Sequence, residues 1–203
     1  MPTTVALPMP DADVRYTAGW LAADAADALL EALVDEVPWE VHRIRMFGRE
    51  VPSPRLSCWI GDPGATYTYS RSRFEPRPWT PALGALRDRL AREVGVRFNS
   101  VLANRYRDGA DAMGWHSDDE PELGPEPVIA SVSVGAPRTF AFRARGDGRR
   151  VDLVLEHGSL LLMAGRTQHA WRHAIPRTRR PLGERVNLTF RAILPGGAGR
   201  ASD

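Results

Sequence analysis

The sequence contains no lysine and only one cysteine, Cys58, among its 203 residues. A single cysteine excludes an internal disulfide framework and a cysteine-rich zinc site. Aromatic residues make up only 8% of the chain. No apolar run approaches the roughly 20 residues needed to cross a bilayer. The opening residues, Met-Pro-Thr-Thr, lack the charged and then apolar pattern of a secretory signal. We therefore expect a cytoplasmic protein that does not act on a membrane.

All 27 basic residues are arginine, a bias typical of GC-rich bacterial genomes, and they oppose 25 acidic residues. The two signs of charge are segregated along the chain. Residues 108–126 hold seven acidic residues and no arginine, whereas residues 138–191 hold twelve arginines against four acidic residues, a local net charge of +8. This segregation favours a partner that carries many phosphates, with an acidic pocket set into the same surface.

The length of the chain fits one domain with a sizeable core. We predict a single domain over residues 1–203. The first twelve residues contain three prolines and are expected to form a loose N-terminal arm over 1–12. A glycine-rich segment over 195–203 is expected to be a frayed C-terminal tail. We expect a monomer.

Two apolar stripes predict helices, one over 18–37 that ends before Pro38 and one over 81–94 with Thr80 as its N-cap. From residue 99 onward, short runs separated by glycine and proline predict seven strands: 99–106, 128–134, 138–144, 151–156, 159–164, 169–174 and 185–194. The pattern indicates an α+β protein, with helices on one face of an antiparallel sandwich or jelly-roll barrel.

The run Arg185–Arg191 alternates strictly between polar and apolar residues. In a strand its polar members share one face: Arg185, Asn187, Thr189 and Arg191. Two interpretations are open. The run is either an amphipathic edge strand with its polar side in water, or the wall of a cavity whose arginines bind a small dianion. Asn104 and Tyr106 also share a strand face, and they either contribute to a binding site for a small acid or belong to the core.

His116 and Asp118 lie on the same side of an extended segment, so they can bind one metal ion together. A third ligand must come from elsewhere, and His169 and His173 are the candidates. Two histidines and one carboxylate, with open positions opposite, is the arrangement of non-haem iron(II) oxygenases. The His-x-Asp pair alone is weak evidence, because a single histidine in a sheet is more often a core residue.

Four segments resemble the AlkB family of oxidative nucleic-acid demethylases, and they occur in that family's order and spacing: Asn104–Gly109, Gly114–Glu120, Ile129–Gly135 and Arg185–Arg191. The likeness covers about residues 40–194 and is closest to the duplex-DNA repair branch. It implies a double-stranded β-helix (jelly-roll) core and an Fe(II)- and 2-oxoglutarate-dependent dioxygenase. The implied reaction removes methyl groups from 1-methyladenine and 3-methylcytosine in DNA and releases formaldehyde, succinate and carbon dioxide.

The resemblance also implies roles at the iron and the co-substrate. It makes His116, Asp118 and His173 the iron ligands and catalytic centre. His173 is preferred to His169 because Trp171–Pro176 matches the family's motif around the distal ligand. Arg191 is expected to pair with the 5-carboxylate of 2-oxoglutarate. The remaining co-substrate contacts are then Asn104, Tyr106, Arg185, Asn187 and Thr189.

For the damaged base, the resemblance makes Glu120 the hydrogen-bond partner of the exocyclic amine, with Asp119 in support. It places Tyr69 on the flipped base opposite His116, and it makes Phe47 the residue that fills the gap in the duplex. The other substrate contacts lie in the same two upstream segments: Gly48, Arg49, Tyr67 and Thr68. The basic loop Arg177–Arg180 matches a DNA-backbone contact of the family in charge.

Two alternative functions stay open at this point. The same chemistry could act on RNA, on a tRNA base or on a protein side chain instead of alkylated DNA. In the second alternative the chain is a nucleic-acid-binding module whose metal site is inactive. The complete set of iron ligands and both arginines argue against the second alternative.

Overall fold

The computed structural model describes residues 2–46, 49–69 and 72–194. These residues form fifteen strands, three helices and a 3-10 turn over Pro121–Leu123. In chain order the elements are β1 (Thr4–Ala6), β2 (Asp13–Thr17), α1 (Ala23–Glu36), β3 (Arg43–Met46), β4 (Arg49–Pro52), β5 (Leu56–Gly61), β6 (Tyr67–Tyr69), β7 (Ser72–Phe74), α2 (Pro81–Val94), β8 (Ser100–Tyr106), β9 (Met113–His116), β10 (Ile129–Gly135), β11 (Arg138–Ala144), β12 (Arg150–Leu155), β13 (Ser159–Ala164), α3 (Thr167–Ala170), β14 (Trp171–Ile175) and β15 (Arg185–Arg191).

Two antiparallel sheets make the centre of the fold. The larger has seven strands in the order β1-β2-β13-β10-β15-β8-β5, and the smaller has four in the order β12-β11-β14-β9. Apolar side chains from both sheets, among them Ile129, Phe142 and Leu161, form a common core between them. The hairpins β3–β4 and β6–β7 are separate from both sheets. The architecture confirms the α+β fold with a jelly-roll core that the sequence predicts.

The helices α1 and α2 cover the outer face of the seven-stranded sheet. Leu33 of α1 and Leu83 and Leu90 of α2 are buried in one cluster with Val186 and Leu188 of β15. Burying these side chains against the sheet is what holds both helices in place, since short amphipathic helices are marginal alone. Within the described ranges, no helix is both long and apolar enough to cross a membrane.

Helix α2 coincides with the predicted helix 81–94. The hydroxyl of Thr80 accepts a hydrogen bond from the Leu83 amide at 3.3 Å, and the helix ends at Gly95, whose φ is +76°. Helix α1 is shorter than predicted and begins at Ala23 instead of residue 18. The preceding residues form a turn in which the amide of Leu21 donates to the carbonyl of Gly158 across the fold.

Each of the seven predicted strands has an observed counterpart. The strand predicted over 169–174 begins at Trp171, because α3 occupies Thr167–Ala170, and the strand predicted over 185–194 ends at Arg191. The arm over 1–12 was expected to be loose, yet β1 pairs with β2 at the edge of the larger sheet. All three residues of β1 are exposed, so the strand is held by its backbone pairing and by the hydrogen bond between the Thr4 and Thr17 hydroxyls, and the sequence shows no apolar pattern there. The tail over 195–203 lies outside the described residues.

Candidate active site

Strand pairing assembles a cluster of two histidines and one carboxylate. His116 ends β9 and lies directly opposite His173 on β14. Asp118 follows two residues after His116, and its Oδ2 lies 3.8 Å from Nε2 of His173. One ligand atom from each of the three residues lies within 4.8 Å of the others. This spacing suits ligands that converge on one ion.

Hydrogen bonds orient the three side chains. Nδ1 of His116 donates to the carbonyl of Gly114 at 2.8 Å, which leaves Nε2 as the nitrogen that faces the cluster. The backbone amide of Asp118 donates to the side-chain oxygen of Gln168 at 2.9 Å. The ring of Phe140 stacks on the His173 imidazole with centroids 5.0 Å apart. The ligands are therefore held in place by the protein itself.

The protonation states of the cluster suit a divalent cation. Burial would raise the pKa of the Asp118 carboxyl, but the adjacent Arg191 guanidinium and the two imidazoles lower it to about 2. Burial, with the neighbouring His116, lowers the pKa of His173 to about 3, and burial also lowers that of His116. At neutral pH the carboxylate is ionised and both imidazoles are neutral, the forms that ligate metals.

His169 does not belong to this cluster. It is exposed, and its Nε2 contacts the carbonyl oxygen of Pro125. Four residues separate it from His173, but α3 ends and β14 begins between them. The structure therefore brings together the three ligands that the resemblance selected and leaves the alternative histidine outside.

Strand β15 is an interior strand, with β10 on one side and β8 on the other. All seven of its residues are buried. The interpretation as an edge strand in water is therefore wrong, and the polar face lines a cavity between the two sheets. The cavity is bounded by the metal cluster at one end and by these further residues: Leu102, Asn104, Tyr106, Met113, Ser131, Phe140, Met163, Ile175, Asn187, Thr189 and Arg191.

Arg191 lies at the metal end of this cavity. Its Nη2 donates to Oδ1 of Asp118 at 2.5 Å, and both side chains are buried. The pairing of Arg191 with the 5-carboxylate stays a prediction, and its contact with Asp118 makes a cation farther from the metal cluster the alternative partner.

Arg185 lies toward the other end of β15 and is the better partner for a distal carboxylate. Its Nη2 donates to Ser133 at 3.0 Å, and its guanidinium lies 5.0 Å from the centroid of the Tyr106 ring. Its Nε and Nη1 have no hydrogen-bond partner among the described residues. Burial lowers the pKa of Arg185 to about 10. A buried cation with free donors of this kind is a site for an anion.

Two buried amides face each other on the cavity wall. Asn104 on β8 is paired in register with Asn187 on β15. Nδ2 of Asn187 donates to the hydroxyl of Ser131 at 2.8 Å. Oδ1 of Asn104 accepts from Nε of Arg55 at 2.7 Å, which leaves the amide nitrogen of Asn104 as its remaining donor.

Sequence analysis missed Arg55, Ser131 and Ser133. The two serines had a usable signal, because Ile129–Gly135 alternates apolar and small polar residues as β15 does. Arg55 had none, since its contact with Asn104 joins residues 49 positions apart.

The residues expected to contact the base lie just beyond the metal ligands. Asp119 forms an ion pair with Arg145 at 2.7 Å, and the same guanidinium donates to the hydroxyl of Ser117. Glu120 is half-buried and precedes the 3-10 turn. Arg49 begins β4, and the three residues Tyr67, Thr68 and Tyr69 form β6. Phe47 and Gly48 lie outside the described residues.

Comparisons with known proteins agree with this geometry. Residues 13–191 match the 2OG-Fe(II) oxygenase superfamily. The alpha-ketoglutarate-dependent dioxygenase alkB homolog 3 of Rattus norvegicus is 45% identical over an alignment of 198 residues, and the match covers 91% of this chain and 65% of that relative. The DNA oxidative demethylase ALKBH2 of Mus musculus is 45% identical over an alignment of 181 residues, and the match covers 84% of this chain and 76% of that relative.

A solved structure shows the same fold. The structure of OsALKBH1 superposes with a TM-score of 0.62 at 16% identity, covering 94% of this chain and 100% of that one. The matched sequence includes the whole metal cluster and the polar face of β15. By its sequence and its fold, the chain belongs to the AlkB family within the 2OG-Fe(II) oxygenase superfamily.

Proposed function

We propose that this chain is an Fe(II)- and 2-oxoglutarate-dependent dioxygenase that demethylates alkylated bases in nucleic acid, with DNA as the first substrate to test. The observation that carries the proposal is the cluster of His116, Asp118 and His173 in the cavity wall, with the buried guanidinium of Arg185 next to Tyr106, which lines the same cavity. The name of the mouse relative, a DNA oxidative demethylase, supports the choice of DNA.

The buried charges fit this pair of cofactors. His116, Asp118 and His173 would hold Fe(II). Arg191 lines the cavity, and three further buried arginines contact residues that line it: Arg55 bonds to Asn104, and the guanidinium groups of Arg138 and Arg185 lie over the ring of Tyr106. Among the described residues, Arg191 is the one member of this group that bonds to a carboxylate. The surplus of positive charge suits a dianion. When bound, Fe(II) would activate O2, and the oxidation of 2-oxoglutarate to succinate and carbon dioxide would supply two of the four electrons that O2 takes up, the methyl group supplying the other two.

The side chains of the chain itself select and orient the reactants. Arg185 would bind the 5-carboxylate of the co-substrate, and Arg191 would hold its metal-side carboxylate while keeping Asp118 in place. The amide nitrogen of Asn104 would donate to the same molecule. Phe140, packed flat on His173, keeps water from that side of the metal.

Acidic side chains next to the metal cluster in the chain favour a cationic base. Asp119 and Glu120 lie one and two residues beyond Asp118, and 1-methyladenine and 3-methylcytosine both carry a positive charge. A methyl group inside a base stack is out of reach of the metal, so the target base must be turned out of the helix. The exposed arginines of the loop Arg177–Arg180 would then bind phosphates, and the affinity should fall with salt.

The deciding experiment measures methyl loss from an oligonucleotide. The protein is loaded anaerobically with Fe(II) and then mixed in air with a strand that carries one 1-methyladenine. The reaction is run with and without 2-oxoglutarate, and the mass of the strand is measured by mass spectrometry. We expect loss of 14 Da, as for any CH2 unit, only when 2-oxoglutarate is present. Asp118→Ala should abolish the loss, and the exposed helix variant Asp35→Asn should retain it.

Other outcomes identify other functions. Methyl loss from an RNA strand but not from the DNA strand would move the substrate to RNA. Succinate production without methyl loss from either strand would point to a protein side chain. Neither succinate nor methyl loss in the Fe(II)-loaded protein would contradict the enzymatic proposal and favour a binding module.

A further inference from the structure

The outer face of the four-stranded sheet, opposite the metal cluster, carries exposed arginines. Phe142 on β11 and His173 on β14 are buried on the inner side, where their rings meet. Because side chains alternate along a strand, the adjacent residues Arg143 and Arg172 lie on the outer face. Both are exposed. The mechanism proposed above uses neither.

Strand register places three arginines in one row on this face. Arg143 on β11 lies directly opposite Arg150 on β12 and directly opposite Arg172 on β14. Neighbouring strands are roughly 4.8 Å apart, and like charges that face each other across strands are destabilising. Arg150 is neutralised by an ion pair with Asp152 at 2.7 Å. Within the described part of the chain, Arg143 and Arg172 have no acidic partner, so an anion bound between them would relieve the repulsion of their charges.

An exposed tryptophan adjoins this row. Trp115 lies on β9, the edge strand next to β14, and it is 37% exposed, one of the few large apolar side chains left in solvent. The guanidinium of Arg143 lies 4.5 Å from the centroid of its ring. A partly exposed indole beside guanidinium groups that have no acidic partner in the described part of the chain is a combination that suits single-stranded nucleic acid, with bases stacking on the ring and phosphates on the cations.

The chain also links this face to the metal cluster. Trp115 immediately precedes the metal-cluster residue His116. Arg145, two residues beyond Arg143, donates hydrogen bonds to Ser117 and Asp119, the residues on either side of Asp118. A strand whose target base enters the cavity can therefore continue over the β9 edge onto the outer face.

We propose that Trp115, Arg143 and Arg172 form a subsite for the single strand that flanks the target base, with phosphates on the two arginines and an unstacked base against the indole. The proposal rests on the function proposed above and adds a second contact region to it. Since the three residues lie on the side of the sheet away from the cavity, the subsite contributes to binding and not to the chemical step.

The test compares two substrates of different length. One is a trinucleotide with a central 1-methyladenine, and the other is a single strand of about 15 nucleotides with the same centre. The measured quantity is the ratio of kcat/KM for the long strand to that for the trinucleotide. We expect Arg143→Gln/Arg172→Gln and Trp115→Ala each to lower this ratio about tenfold. The control Arg92→Gln/Arg97→Gln, which removes two exposed charges from the far side of the molecule, should leave it unchanged.

Salt dependence provides a second readout. Removing two phosphate contacts should reduce the slope of log affinity against log salt for the long strand by about 1.4. A ratio within twofold of the wild-type value in both variants, or an equal loss in the control, would overturn the subsite. So would an acidic peptide that binds as tightly as the strand and depends equally on Trp115.

The design separates this proposal from the enzymatic one. If the wild-type protein demethylates neither substrate, the function proposed above fails. Fluorescence anisotropy with an unmodified labelled strand then still tests the subsite. Weaker binding in Arg143→Gln/Arg172→Gln, but not in the control, supports the subsite, and equal binding in all three proteins rejects it.

Discussion

Replacing Arg185 with methionine is expected to change two properties in opposite directions. The free protein should become more stable, and its affinity for 2-oxoglutarate should fall. Arg185 is 1% exposed, and two of its donor nitrogens lack a partner among the described residues. Burial lowers its pKa from 12.5 to about 10. At about 1.4 kcal/mol for each tenfold in the proton equilibrium, the charged form costs about 3 kcal/mol more in the folded protein than in the unfolded chain.

The sign of this effect follows from the position of the two pKa values. The folded pKa of Arg185 lies below the unfolded one, so the cost is fully present at pH 7 and disappears only as the pH rises beyond about 10. Methionine keeps most of the packing and loses one hydrogen bond to Ser133, worth about 1 kcal/mol. A net gain of about 2 kcal/mol raises the Tm by roughly 5 °C in a chain of this size.

The loss of affinity follows from breaking a buried ion pair. A 5-carboxylate left without its guanidinium costs about 3–5 kcal/mol, which weakens 2-oxoglutarate binding by about two to four orders of magnitude. Thermal unfolding of the free protein gives the first quantity. Calorimetric titration of Mn(II)-loaded protein with 2-oxoglutarate gives the second without turnover.

Arg191→Met is the matched comparison. It leaves the buried carboxylate of Asp118 without its cation, so the Tm should fall where Arg185→Met raises it. If both variants lowered the Tm, Arg185 would have a structural partner that this reasoning omits. If Arg185→Met bound 2-oxoglutarate within threefold of the wild-type affinity, the 5-carboxylate would not lie at Arg185.

Three other predictions concern the same region. Arg55→Gln frees the amide of Asn104 to rotate, so calorimetry should show 2-oxoglutarate binding weakened about tenfold. If the losses of binding free energy in Arg55→Gln and Asn104→Ala were additive in a double-mutant cycle, the contact between the two residues would be contradicted. In metal-free protein with chelator, the free energy of urea unfolding should fall by about 2 kcal/mol from pH 7 to pH 5, because the pKa of His173 is lowered to about 3 in the folded protein and only the unfolded chain takes up the proton. The variant His173→Gln should lose most of this pH dependence, and an unchanged pH dependence would refute the prediction. In Gly135→Ala the new Cβ would lie 2.3 Å from the carbonyl oxygen of Glu184, whereas in Gly95→Ala it would meet no atom within 4 Å. We expect Gly95→Ala to destabilise the protein by about 1 kcal/mol and Gly135→Ala to destabilise it several times more. Equal changes in Tm would refute the steric argument.

The predictability of the fold differed between long and short elements. Helix α2 was located to the residue, because Thr80, Pro81 and Gly95 mark its ends by local chemistry. The strands that the sequence did not predict, β1 to β7 and β9, are three to six residues long; β1 and β6, for example, have three residues each and are defined by their pairing. So short a segment carries too little periodicity to be recognised.

The site was predictable to the extent that its residues are close in sequence. His116 and Asp118 form a visible pair, and the resemblance selected His173 as the third member, which the structure brings to them. The roles of Arg185 and Arg191 could not be predicted in this way. Both stand on the same face of one strand, and the sequence contains nothing that tells which end of that strand meets the metal.

By itself, the sequence determined the kind of side chain on each face of the seven strands that it predicted and the two helices that cover one sheet. Those features depend on contacts within a few residues, where periodicity and capping act. Tertiary structure alone decided that β15 is an interior strand, that Arg191 contacts Asp118, and that Arg55 holds Asn104. Each of these facts joins residues 49 or more positions apart or depends on which strands become neighbours, and burial of the whole chain, not local preference, makes that choice.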